Sequence, residues 1–187
     1  MKFKYCPICG RALEIKDSWD EGGVPYCPID DMMYFDTPKP CIIVAVTNKE
    51  KILLLKQSYI FKDSKVLLSG YVTNGETVEE TVHREVLEEA GLKIKNIKYL
   101  GSEYLSTKEI IMLTFMAEYD GGELRKSSEV EGVNWINIED ALCEMNEDKI
   151  GKNIVKKVLK EIGYIGDKAY RCECDIGSYN MCDTSNN

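Results

Sequence analysis

From residue 41 onward, apolar residues arrive in short blocks bounded by charged or turn-forming residues. The blocks "CIIVAV" (41–46) and "KILLLKQS" (51–58) read as strands joined by a turn at "TNKE". Four more blocks share that character: "KVLLSGYV" (65–72), "IKNIKYLGSEYL" (94–105), "EIIMLTFMAEY" (109–119) and "VNWINI" (133–138). Helical periodicity is rarer. It shows in "IEDALCEM" (138–145) and in "GKNIVKKVLKEIG" (151–163), where Ile154, Val155, Val158, Leu159 and Ile162 recur at helical spacing. A third helix is expected between residues 77 and 91. Thr77 followed three positions later by Glu80 fits a capping box, and Gly91 is placed to end the helix in the left-handed conformation. Between them Val82, Val86 and Ala90 recur every four residues, with Leu87 extending the stripe. Strands with interspersed helices predict an α/β sandwich over residues 37–165.

The ends of the chain differ from this middle. Residues 1–36 contain too little apolar sequence for a core of their own, and "DEGGVPYC" supplies two glycines for a hairpin-like turn. "DTPKP" follows as an extended linker, and residues 166–187 form a polar tail. No apolar run approaches the ~18 residues of a membrane span. "MKFKYCPICG" lacks the apolar stretch of a signal peptide, so the expected location is cytoplasmic. A net charge of -8 argues against an extended grip on a nucleic-acid backbone while permitting a local site for one nucleotide. Eight cysteines in such a chain favour metal binding over disulfides. Cys6, Cys9 and Cys27 lie near the start, and Cys41 and Cys143 read as small core residues. Cys172, Cys174 and Cys182 sit in the tail, as metal ligands or as exposed thiols.

The segment "GYVTNGETVEETVHREVLEEAGL" (70–92) gathers six glutamates in 23 residues. Glu85, Glu88 and Glu89 stand at i, i+3 and i+4, which at about 100° per residue puts them on one helix face. Like charges at that spacing cost about 0.2–0.5 kcal/mol per pair. A cluster that is locally unfavourable without a cation points to function rather than to a solvated face.

The segment fills every specified position of the Nudix box: Gly70, Glu76, Arg84, Glu85, Val86, Glu88, Glu89, Gly91 and Leu92. The chain therefore resembles the Nudix hydrolases, which implies an α/β/α sandwich with a mixed sheet. It also implies cleavage of a pyrophosphate linkage in a nucleoside diphosphate derivative with Mg²⁺ or Mn²⁺, releasing a nucleoside monophosphate. The chemistry suits the residues, because a pyrophosphate repels an incoming water and hard cations on carboxylate oxygens offset that repulsion. By the resemblance Glu85 and Glu89 are metal ligands, and Glu88 is a further ligand or a supporting group. The main-chain carbonyl of Ser69 is another ligand, Arg84 orients the carboxylates, and Glu76 shapes the loop. The single histidine, His83, lies on the helix face away from these acids. A carboxylate is then expected as general base, either Glu89 or Glu129. Glu129 stands six residues before Trp135, where related enzymes carry another metal-binding glutamate; nearby Glu131 reads equally well as a solvated loop acid.

The start of the chain narrows the resemblance. "CPICG", then "YCPID", ahead of "PCIIVAV" is similar to the zinc ribbon and first strand of NADH pyrophosphatases within the Nudix superfamily. This implies a structural Zn²⁺ on Cys6, Cys9 and Cys27, with Asp30 where the family has a fourth cysteine. Asp31 or a tail cysteine is the alternative fourth ligand. Phe35 matches an aromatic that stacks on the nucleotide base. Where the group carries Ser-Gln-Pro-Trp-Pro-Phe-Pro, this chain reads "SEYLSTKEI" (102–110), with Glu103 in place of glutamine. NAD(H) and ADP-ribose are the candidate substrates, with a capped RNA 5′ end as a variant weakened by the charge and the altered loop. The resemblance extends to a homodimer, and the rival reading is a non-catalytic nucleotide sensor on the same fold.

Overall fold

A computed structural model describes residues 3–164 and 166, so the three tail cysteines lie outside the described residues. The chain groups into two compact units, residues up to 39 together with 105–110, and residues 40–104 together with those from 111 on.

The first unit is a three-stranded sheet of β1 (Glu14–Ser18), β2 (Gly22–Cys27) and β3 (Met32–Met33). The glycine-directed turn forms as expected. β1 and β2 run antiparallel from Glu14 opposite Tyr26 to Ser18 opposite Gly22, and Gly22 takes a φ of 71°. Ahead of the hairpin, the Cys6 carbonyl accepts from the Gly10 N–H at 2.9 Å and the Cys6 N–H donates to the Arg11 carbonyl at 2.7 Å, closing a tight knuckle.

The second unit is a sheet between helices, the α/β/α sandwich that the resemblance implies. Its strands are β4 (Lys39–Asn48), β5 (Lys51–Lys56), β6 (Lys65–Val66), β7 (Leu68–Tyr71), β8 (Leu92–Leu105), β9 (Ile110–Gly122) and β10 (Gly132–Asn137). The order is β10-β5-β4-β9-β8, with β6 beside β5 and β7 beside β4. α1 (Val78–Ala90) covers one face, while α2 (Ala141–Glu144) and α3 (Lys149–Glu161) cover the other. The alternation along β4 explains its unbroken apolar run. Ile42, Val44 and Val46 face Val82, Val86 and Ala90 of α1, whereas Ile43 and Ala45 face Leu142, Ile154, Val158 and Leu159. Each fully buried side chain of this size contributes about 1.5–3 kcal/mol of gross burial free energy.

Three boundaries differ from the expectation. "KVLLSGYV" divides into β6 and β7, because β6 pairs with β5 and β7 pairs with β4. α3 begins at Lys149, since the buried Asp148 carboxylate accepts from the Gly151 N–H at 2.8 Å and caps it. Ile162 lies past the helix end and is exposed, as is Leu87 on α1.

Candidate active site

α1 is punctuated as its sequence predicts. Thr77 Oγ1 accepts from the Glu80 N–H at 3.2 Å and the Glu80 carboxylate accepts from the Thr77 N–H at 2.7 Å, while Gly91 closes the helix at a φ of 72°. These caps fix which way the acidic face turns.

The three acids on that face occupy graded environments. On a helical wheel Glu89 lies about 20° from Val82, Glu85 about 60° and Glu88 about 120°. Exposure follows that order. Glu89 is 6% exposed, and the side chains of Glu85 and Glu88 are 12% and 59% exposed. Burial pushes the Glu89 carboxyl up to about 7, with the charges of Glu85, Glu129 and Glu88 adding to the shift. Burial likewise raises Glu85. Glu89 Oε2 is the one buried side-chain oxygen without a hydrogen-bond partner among the described residues.

Arg84 organises the rest. Its Nε and Nη2 grip Glu76 at 2.9 and 2.8 Å, its Nη1 donates to Glu85 at 2.7 Å and Glu88 at 3.1 Å, and Nη2 also donates to the Tyr71 carbonyl at 3.1 Å. The bidentate grip therefore falls on Glu76, which is held well below its usual range by Arg84 first and by bonds from Thr73. Glu76 thus ties the loop before α1 to the helix.

β7 approaches α1 closely. It pairs antiparallel with β4, Ser69 opposite Ile43 and Gly70 opposite Ile42, and Gly70 abuts the Glu85 side chain. The segment carrying Glu129 is tethered to the other end of α1. The Arg125 N–H donates to the Ala90 carbonyl at 2.9 Å and the Ser127 N–H to the Glu89 carbonyl at 3.2 Å, using acceptors that the helix end leaves free. Glu129 is exposed. Glu131 is an exposed loop acid, and its carboxylate also accepts both the N–H and the hydroxyl of Ser58. No local sequence signal marks that pairing across 73 positions. His83 is exposed and lies about 120–160° around α1 from Glu85, Glu88 and Glu89.

The remaining residues singled out by sequence sit on other elements. Glu103 forms an ion pair with Lys157 of α3 at 3.6 Å, and α3 covers the sheet face opposite α1. Phe35 is 44% exposed and, with Phe3, Ile15, Val24, Pro25 and Tyr34, lines a cavity of about 190 Å³ in the first unit.

Cys6, Cys9, Cys27 and Asp30 also converge in the first unit, their ligand atoms all within 4.8 Å of one another. The Cys6 and Cys27 thiols each stand 3.0 Å from Asp30 Oδ2, and the sulfurs of Cys9 and Cys27 are 3.5 Å apart. The edges of a tetrahedral thiolate site are about 3.8 Å, so this set fits Zn²⁺. Hydrogen bonds from Cys6, then Cys9 and Cys27, hold Asp30 below its usual range, so it offers an anionic oxygen. Around α1 the donor set is all carboxylate, with one buried oxygen unpartnered, which suits a hard cation such as Mg²⁺ or Mn²⁺.

The NUDIX domain family matches residues 37–159. A protein named NAD-capped RNA hydrolase NudC from Chromobacterium violaceum is 36% identical over 140 residues, 74% of this chain and 51% of the relative. Its namesake from Vibrio cholerae is 32% identical over 160 residues, covering 85% and 58% of the two chains. The chain thus spans about half the length of the curated relatives it matches. A crystal structure of a NUDIX hydrolase from Nitrosomonas europaea shares the fold, with a TM-score of 0.70 at 20% identity over 86% of this chain and 94% of that one.

Proposed function

The chain belongs to the NUDIX domain family, and on that premise we propose that it hydrolyses the pyrophosphate bond of a nucleoside diphosphate derivative, releasing a nucleoside monophosphate. One observation carries the reading: Glu89 is buried, raised to about 7 and left with an unpartnered oxygen beside Glu85, an arrangement that is unfavourable in a scaffold and useful around a cation. Glu85, Glu89, Glu129 and the Ser69 carbonyl would hold Mg²⁺ or Mn²⁺, with Glu88 as a further ligand or a support. A divalent cation bound there supplies charge neutralisation of the pyrophosphate and makes water a better nucleophile at neutral pH.

The chain's own residues do the rest. Arg84 holds Glu85 and Glu88 on one guanidinium nitrogen, so neither has to be ordered when substrate arrives. Water attacks a phosphorus atom, the bond from that phosphorus to the bridging oxygen breaks, and the bridging oxygen leaves on the other phosphate. Glu89 or Glu129 accepts the proton that the attacking water loses. Glu89 serves as that base only where it is not fully committed as a ligand, and Glu129 otherwise.

The substrate class we infer is NAD-type, which the relatives' name, NAD-capped RNA hydrolase, supports; NAD(H) and ADP-ribose are the small-molecule candidates. An NAD-capped RNA 5′ end presents the same bond to a chain of net charge -8. In the first unit we assign Zn²⁺ to Cys6, Cys9, Cys27 and Asp30 in a structural role. The test is a panel of NAD(H), ADP-ribose and NAD-capped RNA with Mg²⁺ or Mn²⁺, read by product identity. Cleavage to a nucleoside monophosphate that Glu89→Gln abolishes is the expected result. Binding without cleavage would move the chain to the sensor reading.

A further inference from the structure

Tyr34 belongs to two neighbourhoods of the first unit at once. Its backbone is fixed, since the Tyr34 N–H donates to the Pro25 carbonyl at 2.8 Å. Its ring is packed, with its centre 5.5 Å from that of Phe3, and it walls the same cavity as Val24, Pro25 and Phe35. A phenylalanine would serve both purposes equally well. The hydroxyl is what sets tyrosine apart, and its partner is a sulfur, Cys6 Sγ at 3.1 Å.

Cys6 is buried, and three polar groups converge on its sulfur: Asp30 Oδ2 at 3.0 Å, the Tyr34 hydroxyl at 3.1 Å and the Ile8 N–H at 3.4 Å. Metal binding decides the direction of these bonds. A metal-bound cysteine is a thiolate with no proton to give, so Asp30 then meets Cys6 only through the cation they share, and Tyr34 and Ile8 must both donate to the sulfur. Three thiolates and one carboxylate bring four negative charges to a cation that carries two, and much of the excess rests on sulfur. Cys9 is exposed and has water to solvate that charge, whereas the buried Cys6 depends on donors that the chain supplies.

Resting on the zinc assignment above, we propose that Tyr34 is a positioning residue of the metal site, its hydroxyl donating to the Cys6 thiolate so that the charged sulfur is stabilised and held in orientation. The test uses the full chain and two readouts other than hydrolysis: competition for Zn²⁺ against a chromophoric chelator, and the thiolate-to-metal charge-transfer band of the Co²⁺-loaded protein. Tyr34→Phe keeps the ring and the backbone bond and removes only the donor, and the expected result is about 10- to 100-fold weaker Zn²⁺ binding. The Co²⁺ band moves to lower energy, because a thiolate that loses a hydrogen bond holds its lone pair less tightly. Tyr26→Phe is the control: that hydroxyl donates to Asp31 at 2.7 Å, outside the four ligands, and affinity stays within about twofold of the parent. Tyr34→Phe within about twofold of the parent, with an unmoved band, overturns the proposal and leaves the zinc assignment standing. Equal losses in the two variants overturn it as well, since any hydroxyl of the unit would then do. A Tyr34→Phe chain that lacks the parent's amide spectrum at saturating Zn²⁺ assigns the phenol to the fold instead, and the proposal falls. A parent chain that takes up neither metal removes the zinc assignment and the proposal with it.

Discussion

Gly70 and Glu85 compete for one volume: a methyl group at position 70 would lie 2.0 Å from Glu85 Cδ and 2.1 Å from its Oε1. The glycine of β7 is thus a cradle for a carboxylate on α1, which accounts for a residue type that a strand interior otherwise disfavours. Gly70→Ala must drive Glu85 out of its place beside Arg84. We expect kcat/KM to fall about 100-fold, the scale of a 1 Å misplacement, with stability lowered by about 1–3 kcal/mol from overpacking. Kinetics with Mg²⁺ and urea unfolding of the same preparation check both; unchanged kinetics would show that Glu85 need not stay where the structure puts it.

Glu89 makes the site unfavourable for folding in a pH-dependent way. Its carboxyl sits at about 7 against an ordinary 4.5. Between those values the folded chain keeps a proton that the unfolded chain releases, so this contribution is complete below pH 4.5 and is lost as pH rises through 7. A shift of that size corresponds to about 3 kcal/mol. Without added Mg²⁺ or Mn²⁺, Glu89→Gln should be about 2–3 kcal/mol more stable than the parent at pH 8 and no more stable at pH 4, while turnover drops more than about 100-fold. Urea midpoints at the two pH values decide it.

Arg84 bridges three carboxylates with a planar fork that lysine cannot reproduce. Arg84→Lys should lower kcat about 10–100-fold and cost about 1–3 kcal/mol through partners left unsatisfied. His83→Ala, one residue away but exposed and turned away from Glu85, Glu88 and Glu89, should stay within about twofold in both measurements. If the two variants behave alike, the hub role fails.

The mixed thiolate and carboxylate set in the first unit predicts about one equivalent of zinc in carefully purified protein. Elemental analysis returning under about a tenth of an equivalent would remove the assignment. Asp30→Cys should hold the metal against a chelator more strongly than the parent, since thiolate is the softer donor. Cys27→Ser should lose the metal, with the changes in amide spectra confined to the first unit.

Features that depend only on neighbours along the chain were legible in residue order. The Thr77–Glu80 box and the Gly91 stop formed because their partners are three or four residues away. The buried strands followed from runs of apolar residues, and the Nudix box named its acids by spacing alone. Even the depth of Glu89 was implicit in the helical wheel, about 20° from Val82. Tertiary structure turned that position into desolvation, because the wheel gives only a direction and the burial of Glu89 requires the sheet beneath α1. It left Leu87 exposed where periodicity alone placed it in the stripe. It also gave the loop acid Glu131 a partner in Ser58, 73 positions away. Local hydrogen bonds and periodicity need only the chain, whereas desolvation and long-range pairing exist only once two distant segments share one dielectric environment.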